Sequence, residues 1–341
     1  SSSPRRGEVK FPDEQSEFGN SGGGEQKPIH HPPSSTFIDW FEITRIEGRA
    51  IDVGYYRHFV DPMKPFAASM RAHLHGMAIT SATLTDDSNN RGLDWDIAHG
   101  QTGAAYLSPA PKQAEFHSPF DYRAQAEVFI VNDVNKNDIR QLAGAYRTLF
   151  EASGGGALGL FTSIQRLKGV HEIIAPQLEE EGLPLYAQHV DEIDAGSLVD
   201  IFREDEHACL LGTDAIRDGV DVPGESLRLL IFDRVPWPRP TILHKARREA
   251  FAARHALPVR AYDEMITRMK LKQAFGRLIR RADDKGVFVM LDSGFPSRLH
   301  SAFPPDVELT KCGLQEIKNG VKNFLNLAKV EKSEENDYKT L

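Results

Sequence analysis

From Phe116 onward, short continuous apolar runs alternate with longer segments in which apolar residues recur every three or four positions. The runs Val128–Val131, Ala157–Phe161, Leu185–Ala187, Ala208–Leu211, Leu227–Phe232 and Val287–Leu291 predict strands, the last of them the final one. The periodic segments Asp138–Ser153, Ile164–Glu180, Ala195–Arg203, Pro240–Ala253 and Asp263–Arg281 predict helices between them. Strands with no polar face, separated by helices, predict an α/β domain whose parallel sheet has helices on both faces. Earlier, Phe37–Ile43 and Ala50–Phe59 are rich in aromatic and β-branched residues, and Glu47-Gly48-Arg49 interrupts them like a turn. Pro65–Leu74 predicts a short helix, and Met77–Thr80 a buried strand running into Ser81-Ala82-Thr83-Leu84. Asp86–Glu115 is polar, Gly-rich and without sustained period, so it reads as a connection.

Composition adds limits. Seventeen of the first 36 residues are Ser, Gly or Pro, too few apolar groups to repay ordering, so residues 1–36 are expected to be a flexible leader. The expected organisation is then residues 37–86 as one piece, 87–115 as a connection, 116–314 as a complete domain, and 315–341 as a helix to about Val330 with a charged tail. No run approaches the roughly 20 apolar residues of a membrane helix, and the first residues lack a secretory pattern. With only Cys209 and Cys312, there is no disulfide framework and no four-cysteine metal site, so a cytoplasmic setting is expected. The net charge of -8 argues against a uniformly basic surface and leaves a local phosphate-binding groove open.

Candidate chemistry concentrates in few places. On a continuous helix Gln273, Arg277 and Arg280 lie within about 60° of one another. Two guanidiniums side by side repel unless an anion neutralises them, and their planar geometry matches phosphate oxygens. The alternative is a solvated basic helix face. Gly212-Thr213 through Gly219, Asp221 and Pro223-Gly224 forms an acidic, glycine-containing loop after a buried strand, where open α/β sheets bind ligands; a tight structural connection would use the same residues. Thr162-Ser163 sits between a strand and a helix, a place suited to a phosphate, with a plain N-cap as the equal alternative. Thr80-Ser81-Ala82-Thr83 reads as a turn cap as readily as a site. Gly154-Gly155-Gly156 precedes a strand and is not followed by Gly-Lys-Ser, so it is no phosphate loop. The histidines show no metal spacing, no metal site is expected, and Cys209 reads as a small core residue.

Taken together, these segments resemble superfamily-two helicases. Thr80-Ser81-Ala82-Thr83-Leu84 resembles motif III, Ala157–Ser163 motif IV, Gly212–Gly224 motif V, and Gln273-x-x-Gly276-Arg277-x-x-Arg280 motif VI, in the right order. Ser118-Pro119-Phe120, with Lys272–Arg280 followed by Asp284-x-Gly286, is similar to the DinG/XPD branch, ATP-dependent DNA helicases that move five-prime to three-prime. The resemblance covers about residues 37 to 315. It implies a RecA-like second motor domain at 116–314, preceded by the end of the first motor domain at 37–86. It implies ATP with magnesium as cofactors, and single-stranded DNA and the missing first domain as partners. Arg277 and Arg280 would be arginine fingers, and Gln273, Gly219 and Asp221 would line the nucleotide. Thr162, Ser163 and Thr213 would contact the DNA backbone, while Ser81 and Thr83 would couple the two activities.

The departures are equally specific. No Gly-x-x-x-x-Gly-Lys-Thr/Ser occurs, no Asp-Glu-x-His precedes residue 77, and cysteines for an iron–sulfur cluster are absent. Motif V carries Arg217-Asp218 where the family often has Trp-Glu. The chain is therefore expected to be the C-terminal part of a helicase, inactive by itself. The other expectation is a catalytically inactive remnant that binds nucleic acid or protein. A nucleotide enzyme of unrelated chemistry finds no second phosphate loop or acid/base pair.

Overall fold

A computed structural model describes residues 36–46, 49–86, 90–219, 222 and 224–325. The expected leader, through residue 35, and the tail beyond residue 325 lie outside the described residues, as does Asp221.

Two antiparallel strands, β1 (Phe37–Ile46) and β2 (Arg49–Phe59), form a hairpin of their own, in one register from Phe37 opposite Phe59 to Thr44 opposite Asp52, with a bulge before Arg45 meets Ala50. Trp40 stacks on Tyr56 and His58 across the pair. The ribbon stays open to solvent, Phe41 being 71% and Val53 60% exposed. Helix α1 (Met63–Arg71) follows.

The predicted strand at 77–80 does not form. The segment is extended coil, and Met77 and Ile79 are each 40% exposed. So short a run, Met-Ala-Ile-Thr, becomes a strand only beside another strand, and among the described residues none runs alongside. The expected connection instead contains helix α2 (Arg91–Thr102). Asn90 caps it by accepting the Leu93 amide, and Gly103 ends it in the left-handed conformation at φ 78°.

Residues 126–312 build a seven-stranded sheet, parallel throughout. After the single turn α3 (Tyr122–Gln125), its strands in chain order are β3 (Ala126–Val131), β4 (Ala157–Leu160), β5 (Leu185–Ala187), β6 (Cys209–Gly212), β7 (Leu229–Phe232), β8 (Gly286–Met290) and β9 (Leu309–Cys312). Their spatial order is β5-β6-β4-β7-β8-β3-β9. β9 is an extra strand at the edge, absent from the sequence expectation because Leu-Thr-Lys-Cys is short and half polar.

Between them lie α4 (Ile139–Ser153), α5 (Ile164–Glu180), α6 (Ala195–Glu204), α7 (Asp214–Gly219), α8 (Ile242–His255) and α9 (Arg260–Phe275). Residues 314–325 add a last helix. Alternate strand residues divide between two cores. Phe129, Val131 and Ile231 meet α4, α5 and the last helix through Tyr146, Leu167, Ile174 and Ile317. Val128, Ile130 and Leu230 meet α6, α7 and α9 through Phe202, Ile216, Leu271 and Phe275. Full burial of each such side chain contributes about 1.5–3 kcal/mol, so both layers hold the sheet firmly. Gly155, at φ +91°, leaves no room for a side chain, since an added Cβ would lie 2.2 Å from the His207 carbonyl oxygen. No helix among the described residues is long and apolar enough to cross a membrane.

Candidate functional site

The helix expected through Arg281 stops at Phe275. The amides of Gly276, Arg277 and Leu278 turn back onto the carbonyls of Lys272, Ala274 and Phe275, which closes the last turn. Gln273 is therefore on the helix and exposed, while Arg277 and Arg280 stand beyond it, so the three do not share a helix face. The apolar period misled because Leu278 and Ile279 are buried, as on a helix, but reach the core from a loop.

What shapes this arginine loop is a buried carboxylate. Asp284, 6% exposed, accepts the amides of Arg280 and Arg281, each at 2.7 Å. Just ahead of β3, the buried Gln125 donates its side-chain amide to the carbonyls of Arg281, Ala282 and Asp284 at 3.0–3.1 Å. With the apolar pair below and these clasps behind, Arg277 is half-buried and Arg280 exposed. Substituting Asp284 by Ala leaves two amides without their charged acceptor. It is expected to lower stability by about 2 kcal/mol and to open residues 277–284 to limited proteolysis. Denaturant titration and peptide mapping of the nick would check both.

A second group lies at the carboxyl ends of the strands. Thr162 and Ser163 follow β4, and Thr213 follows β6; all three are half-buried. Ser163 holds the N-cap position of α5, yet its hydroxyl makes no capping bond, contrary to the plain-cap alternative. Thr213 gives both its amide (3.0 Å) and its hydroxyl (2.9 Å) to the side-chain oxygen of Gln188, beyond β5. Thr162 gives its amide to Asp233, which follows β7, is fully buried, and also accepts Arg166 Nε at 2.7 Å. Burial pushes the Asp233 carboxyl above the ordinary carboxylate range, against the pull of Arg166 and the Thr162 amide. Gln125, Gln188, Asp233 and Arg166 were missed as positioning residues. The one local signal was an acid directly after an apolar strand at Asp233.

Because the strands are parallel, the arginine loop, entering β8, lies at the amino edge of the sheet, opposite Thr162 and Thr213. Four or five residues at about 3.3 Å each separate the edges by roughly 15 Å. Asp214 opens α7 at the carboxyl edge, Gly219 ends it, and Val222 is buried in the core that also holds Leu271 and Leu278. Ser81 and Thr83 face each other, hydroxyl oxygens 3.2 Å apart, in the exposed segment after α1. No group of three His, Cys, Asp or Glu placed to hold a metal ion occurs among the described residues.

An all-parallel, doubly covered sheet with an arginine loop at one edge and hydroxyls at the other is a RecA-like α/β domain. Residues 146–308 match the family model described as "Helicase C-terminal domain". The ATP-dependent DNA helicase YoaA of Escherichia coli is 35% identical over 290 residues, 81% of this chain and 41% of that protein. The ATP-dependent helicase DinG of Mycobacterium tuberculosis is 36% identical over 230 residues, 66% of this chain and 31% of its own. A Bacillus subtilis protein named 3'-5' exonuclease DinG is 28% identical over 261 residues, 74% of this chain and 27% of its own. Residues 146–308 are thus a helicase C-terminal domain, and the chain is similar across it to the DinG and YoaA helicases. It spans less than half the length of these relatives.

Proposed function

We propose that this chain is the second motor domain of an ATP-dependent DNA helicase that moves five-prime to three-prime on single-stranded DNA. In this reading residues 116–314 are that domain, and 37–86 complete a first motor domain that would hold the magnesium ion and the inner phosphates of ATP. The observation that carries it is the clasped arginine loop. Asp284 and Gln125 fix the backbone from Arg280 to Asp284, and from this loop the guanidiniums of Arg277 and Arg280 would meet the anion. As water attacks the terminal phosphoryl group, charge spreads over its outer oxygens, and fixed guanidiniums stabilise that charge more than the ground state. Gln273, Gly219 and Asp221 would line the same nucleotide. The two cysteines are buried free thiols, which fits a reducing cytoplasm.

At the other edge Thr162 and Ser163 would offer hydroxyls to a DNA backbone, Thr213 would join them by turning its hydroxyl away from Gln188, and Ser81 with Thr83 would link the two events. The purified chain is expected to bind single-stranded oligonucleotides of different sequence alike. Its log affinity should fall linearly with log salt, by about 0.7 per phosphate neutralised. Fluorescence anisotropy across a salt series checks this; affinity that ignores salt, or one preferred sequence, would count against it.

A second reading is a remnant that binds nucleic acid or protein without hydrolysis. Joining the chain to a first motor domain of this family separates the two. Restored DNA-stimulated ATP hydrolysis supports the motor, and a folded but inactive assembly supports the remnant.

A further inference from the structure

Helix α9 makes contacts that its motif residues do not explain. Arg268, two turns before Phe275, pairs through both Nε (2.8 Å) and Nη2 with the carboxylate of Asp86, and both side chains are nearly buried. Asp86 comes just after the Ser81–Thr83 loop, 182 residues away in sequence. One turn further along the helix, on the same face, Lys272 Nζ reaches the Thr85 carbonyl at 3.5 Å. Lys270 pairs with Asp214, at the start of motif V, at 3.3 Å.

Arg268 also donates to the Arg298 carbonyl at 3.2 Å. Asp94, in the first turn of α2, is buried, and neither of its carboxylate oxygens has a hydrogen-bond partner among the described residues. Burial disfavours the Arg268 charge, yet Asp86, Glu264 and Asp94 together hold its pKa above the ordinary value. A forked, nearly dry ion pair of this kind holds direction as well as distance. A bare surface contact would not.

From Arg268 to the start of the arginine loop is under ten residues of rigid helix, roughly 10 Å at 1.5 Å per residue. We infer that Arg268 is a positioning residue that ties the Ser81–Thr83 loop to α9, so that this loop and the arginine loop shift as one piece. Asp86 is its counterpart. The reading of Ser81 and Thr83 as coupling residues rests on the proposed motor, and the ion pair supplies the physical link that such coupling requires. No nucleotide or DNA is needed to detect it.

Hydrogen–deuterium exchange of the whole 341-residue chain provides the test. Asp86→Asn is expected to speed amide exchange about tenfold both at 81–86 and at 276–284, with β7 and β8 unchanged. Arg268→Lys keeps the charge and loses the fork, so it should give a smaller rise in the same two segments. A rise confined to 81–86, no rise in either segment, or a rise that spreads to β7 and β8 would overturn the inference. Because the readout involves no ATP, its failure leaves the arginine-finger reading standing, and loss of that reading leaves this one measurable.

Discussion

Arg280→Ala, placed in a motor completed with a first ATP-binding domain, is expected to lower kcat for ATP hydrolysis by about 10³-fold or more. The KM for ATP should change far less, because a guanidinium aimed at the transferring phosphoryl group contributes mainly when charge develops there. Arg280 is the exposed one of the two, carried by a backbone whose amide is bonded to Asp284. Lys at this position keeps a charge without the planar fork and should recover only a small part of the rate. The 341-residue chain alone should show no DNA-stimulated turnover, since it has no Gly-Lys-Thr/Ser to cradle the inner phosphates. Normal hydrolysis by the Arg280→Ala motor would remove the finger assignment. Turnover by the chain alone would remove the claim of dependence on a partner domain.

The second large effect concerns Asp233. Replacing it by Ala strands Arg166, only 15% exposed, without its carboxylate and leaves the Thr162 amide unbonded. Stability in urea should fall by about 3–5 kcal/mol, the usual consequence of breaking a buried pair from one side. Removing both charges, as in Arg166→Met with Asp233→Leu, should restore most of that loss, because the ionised pair is itself costly to bury. The raised carboxyl pKa agrees. A folded pKa above the unfolded one means this group favours folding most when protonated, and that contribution is lost as pH rises through the folded value. The pair is thus a poor stabiliser that sets geometry. In the restored double variant single-stranded DNA affinity should still be weak, since Thr162 has lost its anchor. A double variant as unstable as Asp233→Ala would contradict this.

Much of the sheet was legible because its strands are dry on both sides. Val128–Val131, Ala157–Phe161 and Leu227–Phe232 have no polar face, and only a central parallel strand fits that pattern. Helix α5 was legible to the residue for a similar reason, its apolar positions keeping one period from Ile164 to Glu180. The failures have separate causes. Met77–Thr80 is as apolar as a strand, but strandhood depends on a neighbour that local sequence does not report. Helix α2 was hidden by Gly92, Asp94, Asp96 and Gly100, although Asn90 and Gly103 marked its ends. At the site, residue types announced the arginines and hydroxyls. What holds them is tertiary. Asp284 clasping amides three and four residues back, and Gln125 reaching 156 residues ahead, leave no periodic trace.

The sheet's position between two packed layers also limits how it can move. Strands locked by Tyr146, Leu167 and Phe202 on either side cannot slide past one another without opening voids that close packing forbids. A push at the amino edge must then tilt the whole plate. Over roughly 15 Å, a rotation of about 5° carries the opposite edge by only about 1 Å. The domain is thus a short, stiff lever: any longer stroke has to come from a hinge outside it.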